Sequence, residues 1–192
     1  MEDGGAQGTQ TEFVAEMMFQ LALPQLEDYL ALEIKGKGEA AGRKAEDKAL
    51  SESLSNKAKT LNEVQGLFTS VVETGAGEWG LAALVALGRA YENMGVTLRT
   101  SDRPFYLTAE QEDVYTMTLE DRAYVQDEKA VNAYQLALEK SYELTICNDN
   151  TAYATRQLGV LRPDDYPGLH ETMLEPRYTS SKSTSYELET SL

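Results

Sequence analysis

One thiol and one imidazole are all the nucleophile and base of that kind this chain carries: Cys147 and His170. A thiol enzyme needs its cysteine beside a base that withdraws the proton. The surroundings of both residues argue against that pairing. Cys147 follows the run "YELTI" and reads as a buried small hydrophobe. His170 follows "DDYPGL", where a capping or surface role is expected. A Cys147/His170 dyad is kept only as the minor enzymatic alternative, and the expectation is a protein without catalytic activity. A single cysteine allows no internal disulfide, and one cysteine with one histidine cannot build a zinc cluster.

Carboxylates are the other candidates. Glu110, Glu112 and Asp113, and then Glu120 and Asp121, are close enough in sequence to suggest paired acid–base chemistry or a calcium site. Their spacing is not that of an EF-hand loop, and no apolar surroundings are visible that would raise a carboxyl pKa. The expected reading is a solvated acidic face, with no metal and no cofactor.

Charge narrows the partners. Among 192 residues, 17 Lys and Arg stand against 32 Asp and Glu, a net charge of −15. Phosphate contacts need clustered cations, so nucleic acid is not an expected partner. The same field repels an anionic membrane surface and favours a basic protein partner. The acid is concentrated in residues 102–128, where eight carboxylates meet only Arg103 and Arg122. No run of about eighteen apolar residues is present, so no direct membrane insertion is expected. "MEDGGAQGTQ" has neither a positive nor an apolar region of the signal-peptide kind. If Met1 is the native start, that points to the cytoplasm.

These residues must be positioned by helices, because no strand pattern occurs. Residues 1–10 read as a disordered tail. The segment 11–33 places Phe13, Met17, Leu21, Leu26, Tyr29 and Leu30 at helical spacing, with a kink or break expected at Pro24. After a linker at 35–42, Arg43–Glu73 carries Leu50, Leu54, Ala58, Leu61, Val64, Phe68 and Val71 as one buried stripe. "TGAG" ends that helix, and a third runs from Gly77 to about Thr97. Trp79, at its start, reads as a hydrophobic staple. Pro104 breaks the chain, Thr108 caps a fourth helix, and a fifth is expected from about Asp127 to Ile146. "NDNT" caps a sixth, which ends before Pro163, with Tyr166 packing back on it. Residues 175–192 read as a Ser/Thr-rich disordered tail.

Within the third helix, Leu84, Leu87, Gly88 and Tyr91 share a face. A glycine inside a helix costs about 1 kcal/mol relative to alanine, which makes sense where another helix comes close. Ala130, Tyr134 and Ala137 form the small–large–small stripe that such a crossing needs. These seven are the expected helix-packing residues.

Leu87-Gly88-x2-Tyr91 and Ala130-x3-Tyr134 resemble the two halves of a tetratricopeptide repeat, with Tyr for Phe in the second. The halves lie 39 residues apart instead of about nine, which suggests an insertion over about 99–127. "EWGLAALVALGRAYENMG", "EKAVNAYQLALEKSYELTICNDNT" and "LGVLRPDDYPGLHE" look like C-terminal regions of deltaproteobacterial tetratricopeptide proteins, including those associated with adventurous gliding motility. The similarity covers roughly residues 12–171.

The expectation is therefore an all-α, tetratricopeptide-like antiparallel helical repeat or bundle over 11–174, with one long amphipathic helix and a helical insertion. The resemblance implies a non-catalytic protein–protein interaction scaffold, periplasmic or envelope-associated, in a multiprotein machine. A cytosolic chaperone-like client-binding module is the alternative. In tetratricopeptide arrays the groove-facing residues of such a helix meet the partner, which nominates Arg89, Glu92 and Asn93.

Overall fold

The structure, a computed structural model, describes residues 3–167; His170 and the 175–192 tail lie outside them. Five α-helices follow one another: α1 (Asp3–Ala31), α2 (Arg43–Glu73), α3 (Gly77–Thr100), α4 (Ala109–Leu144) and α5 (Asp149–Leu161). A single 3-10 turn, Glu39–Ala41, precedes α2. No strand occurs among the described residues.

The ends of the helices follow local chemistry. Thr108 accepts from Gln111 N while the Gln111 side chain reaches back to Thr108 N, a capping box that starts α4. Asn148 does the same for α5 with Thr151. Gly75, at φ 74°, turns the chain between α2 and α3.

Three boundaries differ from the sequence reading. α1 begins at Asp3 rather than Thr11; its early glycines weaken a helix without blocking its propagation. It also continues through Pro24 without a break. Pro24 and Gln20 are both exposed, so the carbonyl that loses its intrahelical donor at the proline faces water. Most importantly, the expected fourth and fifth helices are one 36-residue helix, α4. No glycine or proline interrupts 109–144. Glu120 and Glu128 favour a helix, and Asp121 and Asp127 cost no more than about 0.7 kcal/mol each, too little to break it. Residues 99–127 finish α3, turn at Pro104 and form the first half of α4.

α3 is the centre, packing against each of the other four helices. α1 and α2 lie to one side, where Phe19 meets Phe68 edge-on at 5.5 Å and Trp79 at 5.4 Å. Trp79 is therefore a core contact, as its position at the helix start suggested. α4 and α5 lie to the other side. α1 also touches α3, and α3 touches α5, whereas the backbones of α2 and α4 stay apart. A cleft of about 370 Å³ separates those two, lined by Leu50 and Leu54 on one wall and Tyr115 and Leu119 on the other.

The closest approach is between α3 and α4. Tyr134 is fully buried, and its ring lies directly over Gly88. Seven residues on, Gly95 faces Ala123 O and Asp127. On α4 the matching positions are Ala123, Ala130 and Ala137, all with zero exposure. Small residues at a period of seven on both helices let the backbones converge along their shared length. Sequence reading found Gly88, Ala130 and Ala137; Gly95 and Ala123 continue the same seven-residue spacing. Leu84 and Leu87 divide, Leu84 packing with α4 and α5 and Leu87 with α1 and α2. Tyr91 is half-buried where the two clusters meet.

A Cβ at Gly88 would lie 2.7 Å from Tyr134 Cδ1 and Cζ, in a site with no room for the ring to move. Gly88→Ala should therefore destabilise the fold by about 1–3 kcal/mol, despite roughly 1 kcal/mol of improved helix propensity. The penalty should shrink in a Tyr134→Ala background, where the ring is absent. Thermal unfolding of the four proteins of this cycle measures it, and an unchanged midpoint in Gly88→Ala would refute the close packing.

Candidate interaction surfaces

Polar side chains divide into a buried set that holds the helices and an exposed set available to partners. Lys57 leads the first. It is fully buried, and its Nζ donates to Leu32 O and Asn93 Oδ1, both at 2.6 Å, and to Tyr29 O at 3.4 Å. The Tyr29 ring lies 4.6 Å below the ammonium. Tyr29 O and Leu32 O are at the end of α1; Tyr29 O also accepts from Leu32 N at 3.1 Å, and Lys57 reaches both from α2 to close that helix. Tyr29 OH in turn donates to Ala90 O at 2.9 Å. Periodicity marked Ala58 and Leu61 and passed over Lys57, because nothing local says where a lysine's acceptors will come from.

Two of the three nominated partner contacts belong to this internal set. Asn93 accepts from Lys57 and its amide faces Leu30 O at 3.4 Å. Glu92 accepts from Tyr134 OH at 2.8 Å. Both are half-buried and held by partners within their own chain. Only Arg89 is exposed, with its guanidinium 5.8 Å from the Tyr153 ring.

The acidic segment is also partly used internally. Arg99 binds Asp127 and, at 2.9 Å, Glu120, tying the end of α3 to α4. Glu128 pairs with Arg162, and Asp102 accepts from Gly36 N at 2.9 Å. Glu46, nearly fully buried, receives Lys37 N and Gly38 N and fixes the loop before α2.

Cys147 is exposed, contrary to the buried position expected for it. The apolar run before it belongs to the end of α4, and the chain has already turned away at Thr145. His170, the base that such a dyad would need, lies outside the described residues. No group of three or more metal-binding side chains gathers among the described residues.

The turn at Thr145 opens a broad trough of about 930 Å³ between the end of α4 and α5. Leu138, Tyr142 and Ile146 line one wall, and Ala152, Thr155 and Tyr166 the other. Tyr166 packs back as expected, and it also reaches α4, accepting from Gln135 Nε2 at 3.0 Å. Tyr142 is 78% exposed. Thr145 itself adopts φ 56° and ψ 38°, left-handed backbone that a β-branched residue enters at a cost of roughly 1–2 kcal/mol. It is the only non-glycine residue with positive φ among the described residues.

Two outcomes follow from this geometry. Burial pushes Lys57 down from 10.5 to about 8, with the Glu33 carboxylate opposing the shift. Below pH 8 the folded and unfolded chains both carry the proton. Between pH 8 and about 10 the unfolded chain binds more protons than the folded one, so stability rises with pH. Burial holds the Tyr29 phenol above its ordinary value, which acts oppositely at higher pH. Urea unfolding of the natural chain and of Lys57→Met, compared over that window, should therefore show the natural chain gaining stability relative to the variant. A constant difference would disprove the depressed pKa. Separately, Thr145→Gly should raise stability by about 1 kcal/mol by removing the left-handed strain, and a lowered melting temperature would contradict it.

No family model, no curated protein and no solved structure matches this chain.

Proposed function

We propose that the chain is a non-catalytic protein–protein interaction scaffold with a tetratricopeptide-like helix arrangement, acting within an envelope-associated or motility assembly. The observation that carries this reading is the apolar trough between α4 and α5. Its volume lies in the range that receives several side chains of a ligand, and Tyr142 stands on its rim as an aromatic anchor of the kind enriched at binding hot spots. Strained backbone at Thr145, on the same rim, adds weight, since such strain clusters at functional positions.

The alternation of contacts supports the repeat-like part. α1, α3 and α5 touch in sequence, while α2 and α4 pack only through α3. Stacked helical pairs give that pattern, and arrays of them present extended binding surfaces. The envelope and motility setting rests on the resemblance of the sequence segments named above. The mechanism is passive: α4 and α5 hold the trough in one shape, and a partner segment enters without having to order it.

Photo-crosslinking in the native host tests the reading. A crosslinkable residue at 142 should yield a discrete protein adduct, recovered with the cell envelope. The same residue at 59, on the solvent side of α2, should not. Equal adducts from both positions, or none from 142, would overturn the trough as a binding surface.

A further inference from the structure

The first half of α4 presents a second surface whose charge identifies its occupant. Val114, Met117, Tyr124 and Val125 are 64%, 68%, 56% and 52% exposed. At 100° per residue they fall on one side of the helix, opposite Leu119 and Ala123, which are buried in the core. Glu110, Asp113 and Asp121 lie on that same side, and none of them has an ion-pair partner among the described residues. The two cations of this stretch point elsewhere. Arg122 lines the cleft toward α2, and Lys129 Nζ sits 5.5 Å from the Tyr91 ring on α3. Arg162 closes the far end, where it lies beside the Tyr124 hydroxyl and pairs with Glu128.

The result is an apolar strip edged by unneutralised carboxylates, about four helical turns long. A purely solvated face would not carry four large apolar side chains in twelve residues, and the carboxylates Glu110, Asp113 and Asp121 among them have no cation paired to them among the described residues. A second copy of this chain would bring the same carboxylates against themselves. Nucleic acid and anionic lipid are repelled by the same field. We propose that this face of α4 docks a basic amphipathic helix, its apolar side laid on Met117 and Tyr124 and its Lys or Arg residues reaching Asp113 and Asp121. This deepens the scaffold reading and rests on it, since it assigns the chemistry of one partner. α1 also exposes apolar residues, Phe13, Met17 and Leu21, but nothing around them specifies an occupant.

The test uses two synthetic peptides of identical leucine and lysine composition, each about fifteen residues and able to span the strip. One has its leucines at helical i, i+3, i+4, i+7 spacing; in the other they are scattered. Binding to the full chain is followed by fluorescence anisotropy at low and high salt. The amphipathic peptide should bind about tenfold or more tightly than the scattered one, and weaken with salt. Met117→Ser with Tyr124→Ser should cost about tenfold in affinity, and Asp113→Asn with Asp121→Asn should reduce the salt dependence. These residues are exposed, and circular dichroism confirms that the variants fold. Equal binding of both peptides would mean attraction to net charge alone and would overturn the proposal. So would an amphipathic peptide indifferent to the α4 variants. If binding is lost instead in Tyr142→Glu, the peptide occupies the trough; the α4 inference then fails while the scaffold reading stands. If neither peptide binds although position 142 crosslinks a partner, the α4 inference again fails alone.

Discussion

The approach of α3 to α4 through Gly88 and Gly95 is the constraint on which the rest of the molecule depends. Glycine on one helix and alanine at a period of seven on the other remove the side chains that would hold the backbones apart. The Tyr134 ring then occupies the space over Gly88, and its hydroxyl is satisfied by Glu92. Each buried aromatic or aliphatic side chain at this seam contributes about 1.5–3 kcal/mol, and dense packing makes that contribution sensitive to single methyl groups. With α4 fixed against α3, α5 can close on the other side through Ala154 and Leu158, both fully buried.

A polar counterpart joins α1 and α2 to the same central helix. Lys57 reaches the carbonyl end of α1 and Asn93 of α3 at once, so one side chain sets the relation of three helices. Burying an ammonium is costly unless its donors are used, and here three acceptors and an aromatic face surround it. Such a group adds little net stability but penalises any packing in which its partners are missing. Gly88 and Lys57 thus specify the two halves of the bundle by different means, steric on one side and electrostatic on the other.

Because α3 is consumed by this packing, with fourteen buried residues, the surfaces open to partners lie on the outer helices. Glu92 and Asn93, polar and well placed on a helical wheel, are drawn inward by Tyr134 and Lys57. Tyr142, Met117 and Tyr124 remain outside because no further helix covers them among the described residues. The acidic excess also divides. Glu120, Asp127 and Glu128 hold α3 and α5 to α4, while Glu110, Asp113 and Asp121 are left to set the field outside.

The sequence by itself determined what is local. Helix periodicity, the Asn148 cap and the glycine turn at 75 define three of the five helices closely, α2, α3 and α5, and the Thr108 cap marks the start of α4. The small residues around Gly88 announce a close crossing before any partner helix is known. What only the tertiary structure decided is the fate of groups whose partners come from far along the chain. Lys57 is buried because acceptors arrive from Leu32 and Asn93; Glu92 turns inward because Tyr134 stands 42 residues away. Cys147 is exposed because α4 turns at Thr145 before reaching it. Hydrogen bonds and burial depend on three-dimensional neighbours, and a pattern along one helix fixes direction about that helix's own axis but not what waits there.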